Sequence, residues 1–411
     1  MEKIVLNRIL REDNIVKYLF SVSDGLKRYF TTNTFFIEYE QNISNVPISI
    51  LTIPFVNCMA GLSWLSGSML FVDEIDFTYY NSFKQIKLAY SELHNTHLGG
   101  VFVPSVIITN EIKKSSDYLL LFGGGVDCHS SLLRSKLQIS GLVNIYGWLK
   151  SLEEENNVDS SDKTHTKEVS DRFGIKSYHV RSNFASQFDL SEIDKRYCNN
   201  INTSYWYGFL HSMAFLSIST TIAWINDISN LMIASSFTKD RANVHCGSYI
   251  TTDYEFRFAT SGKTIHDGFE LSRQQKVQII ADFQRHTNKP YFFQACSFND
   301  HNCCKCEKCF RTIIELIAEG VEPSDFGFII EDSQKSHWTK IIQSDIALWG
   351  VKKESYYYNI AKLRMKENYA NIKDKEFVDW FLNFDFEKAK KEGLKRYYRQ
   401  NFCSILKRKF K

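Results

Sequence analysis

The spacing of hydrophobic and polar positions predicts a mixed N-terminal domain over residues 1–110. Short apolar runs at 35–39, 48–55 and 69–72 are typical of strands. Residues 82–93 have apolar positions at a spacing closer to that of a helix. We therefore expect this region to be an α+β domain, and it contains no recognisable catalytic motif.

From residue 111 the pattern changes to short apolar runs that alternate with helical spacing. The expected strands are 118–122, 142–148, 175–180, 230–234 and 263–266. The expected helices are 129–137, 167–173 and 206–226. Ser272 has the residue type and position of an N-cap for a further helix at 273–283. Strands separated by helices indicate an α/β domain with a doubly wound parallel sheet over 111–330. Residues 331–411 are predicted to be a helical C-terminal region.

The composition excludes several classes of protein. Hydrophobic residues make up 44% and charged residues 24% of the 411 positions. These are the proportions of a folded protein, not of a disordered chain, a collagen-like fibre or a coiled coil. No uninterrupted apolar run approaches the roughly 18 residues that cross a bilayer, and the N-terminus has no signal-peptide pattern. We expect a cytoplasmic protein without a transmembrane segment.

Charge identifies no partner for the whole chain, because the net charge is only +3. The C-terminus is different: from Lys388 onward it carries ten Lys or Arg residues and one acidic residue, Glu392. A solvated terminal helix explains this basic tail. The alternatives are binding to an acidic protein surface, a membrane surface or nucleic acid.

Half of the ten cysteines lie within one short segment, which indicates a metal site in a large cytosolic chain. The four candidate ligands have the spacing C-x6-C-x2-C-x2-C and are Cys296, Cys303, Cys306 and Cys309. Two thiolates of a C-x-x-C pair converge on one ion, and four thiolates complete a tetrahedral Zn²⁺ site with no open position. We therefore expect a structural zinc, with an iron–sulfur cluster or a redox dithiol as alternatives.

A glycine turn follows the predicted strand 118–122. Gly123, Gly124 and Gly125 precede Val126 and Asp127 at the expected start of a helix. Glycines let backbone N–H groups surround an anion, and a helix N-terminus adds positive potential. The turn matches neither the P-loop nor the dinucleotide-binding pattern. Its alternative role is to let a strand and a helix pack closely.

The Gly-Gly-x-Asp core of this turn resembles the Ser-Gly-Gly-x-Asp-Ser loop of the PP-loop ATP pyrophosphatase superfamily. Members of that superfamily bind ATP, release pyrophosphate and leave an adenylated substrate. This chain departs from the pattern at Gly123 and Cys128, where the superfamily has serines. Two hydroxyl donors to phosphate are therefore absent, and Ser130 or His129 is a candidate substitute. The resemblance implies that Mg²⁺-ATP is bound by the residues of this turn and of the helix start. They are Gly123, Gly124, Gly125, Asp127, Cys128 and Ser130.

The glycine loop comes first and the four cysteines come last, an order that resembles the 7-cyano-7-deazaguanine synthase family within this superfamily. The resemblance covers about residues 116–320. It implies an adenine-nucleotide alpha-hydrolase-like fold and a ligase or amidotransferase-like activity. Such an enzyme adenylates a carboxylate or an amide, and an amine, ammonia or another nucleophile then displaces AMP. The N-terminal domain would shape a different acceptor, either a small molecule or a peptide or protein, and the protein itself is a possible oligomer.

Further candidates follow from the predicted sheet, since ligands of open α/β sheets bind beyond the carboxyl ends of the strands. The resemblance places Tyr146 near the adenine, and a core aromatic side chain is the alternative. The candidate substrate-binding residues are Asn183, Ser235, Ser236 and Asp267. A loop residue that contacts solvent is the alternative for Asn183.

Arg273 and Lys276 lie one turn apart near the start of a predicted helix, so they share a helix face. The segment resembles the one that carries a phosphate-contacting lysine in the superfamily. With Asp127 they are the candidate catalytic residues, and the two cations are expected to offset charge on the departing pyrophosphate. A surface helix with two cations is the alternative. His211, in the predicted helix 206–226, is a buried structural histidine or a functional one.

Two other functions agree with the same residues. The first is sulfur insertion into RNA, which requires a reactive cysteine and a basic surface; Cys128 and the tail suit it. The second is a nucleotide-binding scaffold without turnover, in a defence or biosynthetic complex, for which the changes at Gly123 and Cys128 are the basis.

Overall fold

The computed structural model describes residues 1–135, 138–148, 160–239, 241, 245–296, 301–330, 338, 356–386, 388–389, 391–392, 394–395 and 399. The chain divides into two compact units. The first, called here the sheet unit, comprises Met1–Gly123 and Arg134–Glu270. The second, called here the helical unit, comprises Gly124–Leu133 and Leu271–Lys411. The boundary between them falls inside the glycine turn.

The strands of the sheet unit form one sheet. In chain order they are β1 (Lys3–Glu12), β2 (Ile15–Val22), β3 (Thr34–Tyr39), β4 (Met69–Asp76), β5 (Val101–Ile108), β6 (Tyr118–Leu121), β7 (Ile139–Tyr146), β8 (Lys176–Ser182), β9 (Asn230–Ala234), β10 (Arg257–Phe258) and β11 (Gly262–Asp267). Their order across the sheet is β10-β11-β9-β6-β7-β8-β3-β2-β1-β4-β5.

Most neighbouring strands in this sheet are parallel. The run β11-β9-β6-β7-β8 is parallel throughout, and so is the run β1-β4-β5. The antiparallel pairs are β10 with β11, β8 with β3, β3 with β2, and β2 with β1. The protein is therefore α/β with a large, mixed, mostly parallel sheet, as the alternation of strands and helices predicts.

Strands from both sides of position 110 belong to this sheet. Tyr39 of β3 pairs with Val180 of β8, and the Ser182 hydroxyl donates a hydrogen bond to the Phe36 carbonyl at 2.8 Å. The backbone ladder thus joins the first 110 residues directly to the strands that follow them.

Helices connect the strands and form most of the helical unit. In chain order they are α1 (Ile48–Ser66), α2 (Phe77–His94), α3 (Val126–Ser135), α4 (Ser160–Phe173), α5 (Leu190–Ile193), α6 (His211–Ile225), α7 (Ile250–Tyr254), α8 (Arg273–Thr287) and α9 (Glu307–Ala318), followed by Tyr356–Glu367 and Lys375–Leu382. Short 3-10 turns lie at Asp24–Tyr29, Asn199–Ile201, Pro323–Phe326 and Tyr369–Asn371. Two π-helical turns lie at Asp194–Cys198 and Trp206–Leu210.

The predicted strand at 48–55 is wrong, because these residues form the first half of α1. The helix is buried on all sides from Ser49 to Trp64. A helix without a solvent-facing side lacks the 3.6-residue alternation that normally identifies a helix. The run Ile-Ser-Ile-Leu-Thr-Ile is also rich in β-branched residues, which favour strands in a sequence-based reading.

Two helical stretches of the described residues are long and apolar enough to span a membrane. They are Ile48–Ser66 and Trp206–Ile225, and the most apolar 18 residues of each are 89% and 78% buried in the protein, respectively. They pack against each other, with the Asn57 side chain donating to the Met213 carbonyl at 2.7 Å. They are core helices of the sheet unit, and neither is a clear transmembrane segment.

The other predicted elements agree with the structure. The five strands expected after residue 111 correspond to β6, β7, β8, β9 and β11. The helix expected at 129–137 begins earlier, at Val126, and positions 136–137 lie outside the described residues. The expected helix 167–173 is the second half of α4, and the expected helix 206–226 is a π-helical turn continued by α6.

The predicted start of α8 is confirmed. The Ser272 hydroxyl accepts a hydrogen bond from the Gln275 backbone N–H at 3.2 Å, and the Gln275 side chain accepts one from the Ser272 N–H at 2.8 Å. This reciprocal capping box satisfies two backbone donors at the helix start. Helices also occupy much of the described C-terminal region. Residues 400–411 of the predicted basic tail lie outside the described residues.

Candidate functional site

The helical unit brings the three candidate catalytic residues together. The Lys276 Nζ donates to Asp127 Oδ1 at 3.0 Å, and Arg273 Nη1 lies 3.8 Å from Asp127 Oδ2. Asp127 is in the first turn of α3, whereas the two cations are in the first turn of α8. The Lys276 side chain is only 3% exposed and the Asp127 side chain is 24% exposed. A nearly buried ammonium group therefore lies beside a carboxylate that solvent still reaches.

Arg273 is fixed from a second direction by α9. Its Nε donates to Glu315 Oε2 at 3.0 Å, and its Nη2 donates to the Thr312 hydroxyl at 3.1 Å. The Glu315 side chain is 1% exposed. Buried carboxylates are retained where a cation and hydrogen bonds offset their desolvation. Glu315 thus orients the guanidinium group that contacts Asp127, and sequence reasoning missed this residue.

The charges of this cluster set the protonation of Asp127. Burial by itself raises the pKa of its carboxyl group, but Lys276 and Arg273 outweigh burial, and the pKa lies below its ordinary value. Burial raises the pKa of Glu315, and Arg273 opposes that rise. Asp127 is therefore ionised at neutral pH and offers a carboxylate to a cation.

Two further cations on α9 face this cluster. Burial lowers the pKa of Lys308, and the nearby charges of Arg311 and Arg273 lower it further. The Arg311 guanidinium lies 3.5 Å from Glu307 and 4.4 Å from the ring centroid of Tyr357. Such a concentration of cations at partly buried positions favours an anionic ligand. In sequence, Lys308 lies between the ligands Cys306 and Cys309, and Arg311 follows Cys309 by two positions, so the cysteine motif was the available signal.

The turn before α3 has the backbone geometry that glycine allows. Gly124 has a φ of 73°, in the left-handed region, and its carbonyl accepts a hydrogen bond from the Gln294 N–H at 3.0 Å. The Gly125 carbonyl accepts from the His129 N–H at 3.1 Å and from the Cys128 thiol at 3.1 Å. Cys128 is therefore engaged within the turn, and Ser130 beyond it is 2% exposed. Gly123 lies on the other side of the unit boundary.

The four predicted metal ligands converge at the start of α9. Their Sγ atoms all lie within 4.8 Å of one another, with 4.0 Å between Cys296 and Cys306 and 3.9 Å between Cys303 and Cys309. Four thiolates at about 2.3 Å from one tetrahedral Zn²⁺ would be about 3.8 Å apart. The observed separations fit such an ion, so this group of cysteines can bind a metal such as zinc.

The cysteine site is continuous with the charged cluster through one helix. Cys306 is the N-cap of α9, and its Sγ accepts from the Cys309 N–H at 3.5 Å. Glu315 lies on the same helix, nine residues further on. An ion bound by the cysteines would fix the first turn of α9 and therefore the position of Glu315 beside Arg273. This arrangement is structural, since four protein ligands leave no position for a substrate.

The remaining candidates belong to the sheet unit. Tyr146 ends β7, and the Lys163 Nζ lies 4.4 Å from its ring centroid. The Asn183 side chain accepts from the Phe36 N–H at 2.9 Å and donates to the Thr34 carbonyl at 2.9 Å. Both polar atoms of Asn183 thus hold β3, which favours the structural alternative for this residue.

Ser235 and Asp267 meet at the carboxyl ends of β9 and β11. The Ser235 N–H donates to the Asp267 carbonyl at 2.8 Å, and the Ser235 hydroxyl donates to the Phe237 carbonyl at 2.7 Å. The Asp267 carboxylate lies 3.5 Å from Arg134 Nη1. Ser236 is exposed. Their role in substrate binding stays a prediction.

Comparison of the sequence with protein-family models and with curated proteins finds no match in either set. The chemistry of the protein is therefore inferred from the geometry of its own residues.

Proposed function

We propose that the helical unit binds the phosphates of ATP and that the protein is an ATP-dependent ligase of the amidotransferase-like kind. It would adenylate a substrate carboxylate or amide, release pyrophosphate and form a C–N bond with an amine or ammonia. The observation that carries the proposal is the contact of Asp127, beside the glycine turn, with Lys276 and Arg273. This contact unites the two segments whose sequences resemble the PP-loop superfamily.

The proposed roles follow from charge and position. A substrate oxygen attacks the α-phosphorus of ATP, the bond to the β-phosphate oxygen breaks, and pyrophosphate departs with the negative charge. Lys276 and Arg273 stabilise that charge where it develops. The ionised Asp127 holds both cations and is the candidate ligand for Mg²⁺, which prefers carboxylate oxygens. The amine or ammonia then attacks the activated carbon, and AMP leaves.

The order of the strands supports the finer fold assignment that we propose. Within the parallel run, β7 and β8 lie on one side of β6, whereas β9 and β11 lie on its other side. Such a reversal is the mark of doubly wound folds, whose ligands bind at the point where the order changes. The glycine turn follows β6, the strand at that point. We infer an adenine-nucleotide alpha-hydrolase-like fold.

The proposed cofactors are Mg²⁺ with ATP and a structural Zn²⁺ at the four cysteines. Tyr146 and Asp267 belong to the sheet unit, and their roles as contacts of adenine and of a substrate stay predictions. None of the nine described cysteines forms a disulfide, which agrees with a reducing compartment and hence with the cytoplasm.

Calorimetric titration of Mg²⁺-ATP into the zinc-loaded protein tests the proposal. We expect micromolar binding to the wild-type protein, and at least about tenfold weaker binding to Lys276→Met, because one charge-assisted contact is worth about 1.5–3 kcal/mol. Lys167→Met is the matched control, since Lys167 is an exposed lysine of α4. Equal affinities of the two variants, or absence of binding to the folded wild-type protein, would contradict a nucleotide site at Asp127.

A further inference from the structure

The sheet unit contains a second group of nucleophilic and titratable side chains. Cys246 Sγ lies 3.8 Å from His211 Nε2, within the range of a hydrogen bond to sulfur. The two residues are 35 positions apart in sequence. His211 is the first residue of α6, and Cys246 precedes α7. The proposed phosphate site uses neither residue.

The second nitrogen of His211 fixes the tautomer of the ring. Nδ1 lies 3.0 Å from the Trp206 backbone carbonyl, which can only accept a hydrogen bond. Nδ1 therefore carries the proton and donates it. In a neutral imidazole the other nitrogen then has a lone pair, so Nε2 accepts the thiol proton of Cys246. A carbonyl that orients a base, and a base that accepts from a thiol, are the parts of a nucleophile pair.

The surroundings keep this imidazole neutral. Burial lowers the pKa of His211, although the Trp206 carbonyl and the Asp253 charge oppose the shift. Asp253 itself is paired with His266 at 2.8 Å and accepts from the Ser248 hydroxyl at 2.8 Å. A neutral imidazole is the form that can remove a proton from a thiol.

The backbone beside the thiol is held by α2. The Tyr90 hydroxyl donates to the Gly247 carbonyl at 3.0 Å and lies 3.1 Å from the Ser212 hydroxyl. Gly247 directly follows Cys246, so this contact restricts the movement of the cysteine. A restrained nucleophile next to its base requires little reorganisation before reaction.

The described part of the sheet unit also contains a buried hydrogen-bond acceptor without a donor, which is Nδ1 of His94. His94 Nε2 lies 2.8 Å from the Gly208 carbonyl and therefore donates to it. His94 Nδ1 is buried and has no hydrogen-bond partner within the described part of the chain. The His94 residue is 3% exposed, and its ring stacks on that of His245 at 5.8 Å. A buried lone pair without a donor is costly unless a ligand or water supplies one.

Aromatic rings surround the base. The ring centroids of Trp206, Tyr207 and Phe215 lie 5.8, 6.1 and 6.3 Å from that of His211, respectively. All three residues are half-buried, as is His211. Half-buried aromatic faces suit a flat or apolar group, whereas a charged group would lose its hydration there.

We propose that Cys246 and His211 form a nucleophilic pair that reacts with an apolar or aromatic acyl group bearing a leaving group. The sulfur attacks the carbonyl carbon and an S–C bond forms. The bond between that carbon and the leaving group breaks, and the thiol proton passes through His211 Nε2 to the leaving group. The product is a thioester on Cys246. This inference is independent of the ATP site.

Two other cysteines of the sheet unit serve as internal references. Cys58 and Cys198 are fully buried, Cys246 is 2% exposed, and burial raises the pKa of the Cys58 and Cys198 thiols well above the ordinary value. Asp194 raises the pKa of Cys198 further. Neither has an imidazole contact in the described structure, so they show how a buried thiol without a base behaves.

Iodoacetamide labelling of the folded, zinc-loaded protein, read for each cysteine by peptide mass spectrometry, tests the pair. We expect Cys246 to react at least about tenfold faster than Cys58 and Cys198. A simple thiol has a pKa of about 8.5 and loses about tenfold in thiolate for each pH unit below it. The rate ratio of Cys246 to glutathione should therefore rise as the pH falls from about 8 to about 6.5. A constant ratio, or a rate equal to those of the reference cysteines, would overturn the proposal.

The base is tested by His211→Gln, with His97→Gln, at an exposed position of the sheet unit, as the matched control. We expect about tenfold slower labelling of Cys246 in the first variant and an unchanged rate in the second, since general base catalysis contributes at least about that factor. A p-nitrophenyl ester of an aromatic acid should leave its acyl group on the Cys246 peptide. Unchanged labelling in His211→Gln, or acylation elsewhere only, would reject the pair. If this variant does not fold, the wild-type pH profile decides.

Discussion

Lys276 Nζ and Asp127 Oδ1 lie 3.0 Å apart although 149 positions separate the two residues in sequence. The contact fixes the start of α3 against the start of α8 inside the helical unit. Both helices direct their N-termini, with the partial positive charge of the backbone dipoles, to the cluster that these residues form. The cations are in place before any ligand arrives, so phosphate binding needs little rearrangement.

Replacing Asp127 by Asn should destabilise the protein. The substitution removes the carboxylate beside the nearly buried Lys276 ammonium and beside Arg273. We expect a loss of about 1–3 kcal/mol in the free energy of unfolding, measured by urea denaturation. Asp171→Asn, at an exposed position of α4, should change it by less than about 0.5 kcal/mol. Equal effects of both substitutions would mean that the contacts of Asp127 with Lys276 and Arg273 stabilise the fold no more than an exposed ion pair does.

One zinc ion per chain should copurify with the protein, and Cys306→Ser should lose it. The serine removes a thiolate ligand, whereas its hydroxyl keeps an acceptor at the N-cap position of α9. We expect a lower melting temperature, since structural zinc supplies folding free energy. Metal analysis and thermal unfolding measure the two effects.

Cys304→Ser is the matched control for that experiment. Cys304 lies between two ligands in sequence, but its thiol donates to the Asn302 carbonyl at 3.4 Å. This variant should retain the metal. Loss of zinc from Cys304→Ser but not from Cys306→Ser would reverse the ligand assignment.

His94 should make stability depend on pH in mildly acidic solution. Burial lowers the pKa of His94 to about 4, against about 6.5 in the unfolded chain. The unfolded state therefore binds more protons between these values, and stability rises as the pH increases from about 4 to about 6.5, by at most about 3 kcal/mol. His94→Gln should flatten this part of the curve in urea titrations across pH. Parallel curves for the two proteins would exclude His94 as the source.

Serine substitutions at adjacent glycines should have opposite outcomes. Gly124 has a φ of 73°, so Gly124→Ser should cost about 1–2 kcal/mol. A Cβ at Gly123 meets no atom within 4 Å among the described residues, and its φ is not in the left-handed range. Gly123→Ser should therefore be tolerated. Urea denaturation of both variants measures the two effects, and an equal loss of stability at the two positions would contradict this prediction.

The sequence correctly predicted those elements that depend on residues close together in the chain. Strand β9 has the predicted bounds 230–234, since it is a short apolar run between turns. Ser272 caps α8 because a hydroxyl and Gln275 stand at the right spacing. The four cysteines meet because their spacing alone lets them reach one ion. Helix α1 failed as a prediction because burial on every side removes the periodicity of a helix.

Contacts between segments that are distant in sequence could not be predicted from local patterns. No pattern near Arg273 identifies Glu315 as its partner, and no motif links His211 to Cys246. Both pairs depend on how helices cross after folding, which is decided by the packing of whole faces. The candidate residues Asp127, Lys276 and Arg273 were found singly from the sequence, and the structure adds that they touch.

The pairing of β3 with β8 has a consequence for how this protein can be divided. Removing residues 1–110 would leave β8 with a row of unpaired N–H and C=O groups, an edge that recruits strands from other chains. It would also strip α1 from α6 and expose the apolar surface of a core helix to solvent. The first 110 residues thus protect the rest of the sheet from self-association, and a shortened chain would aggregate before its chemistry could be assayed.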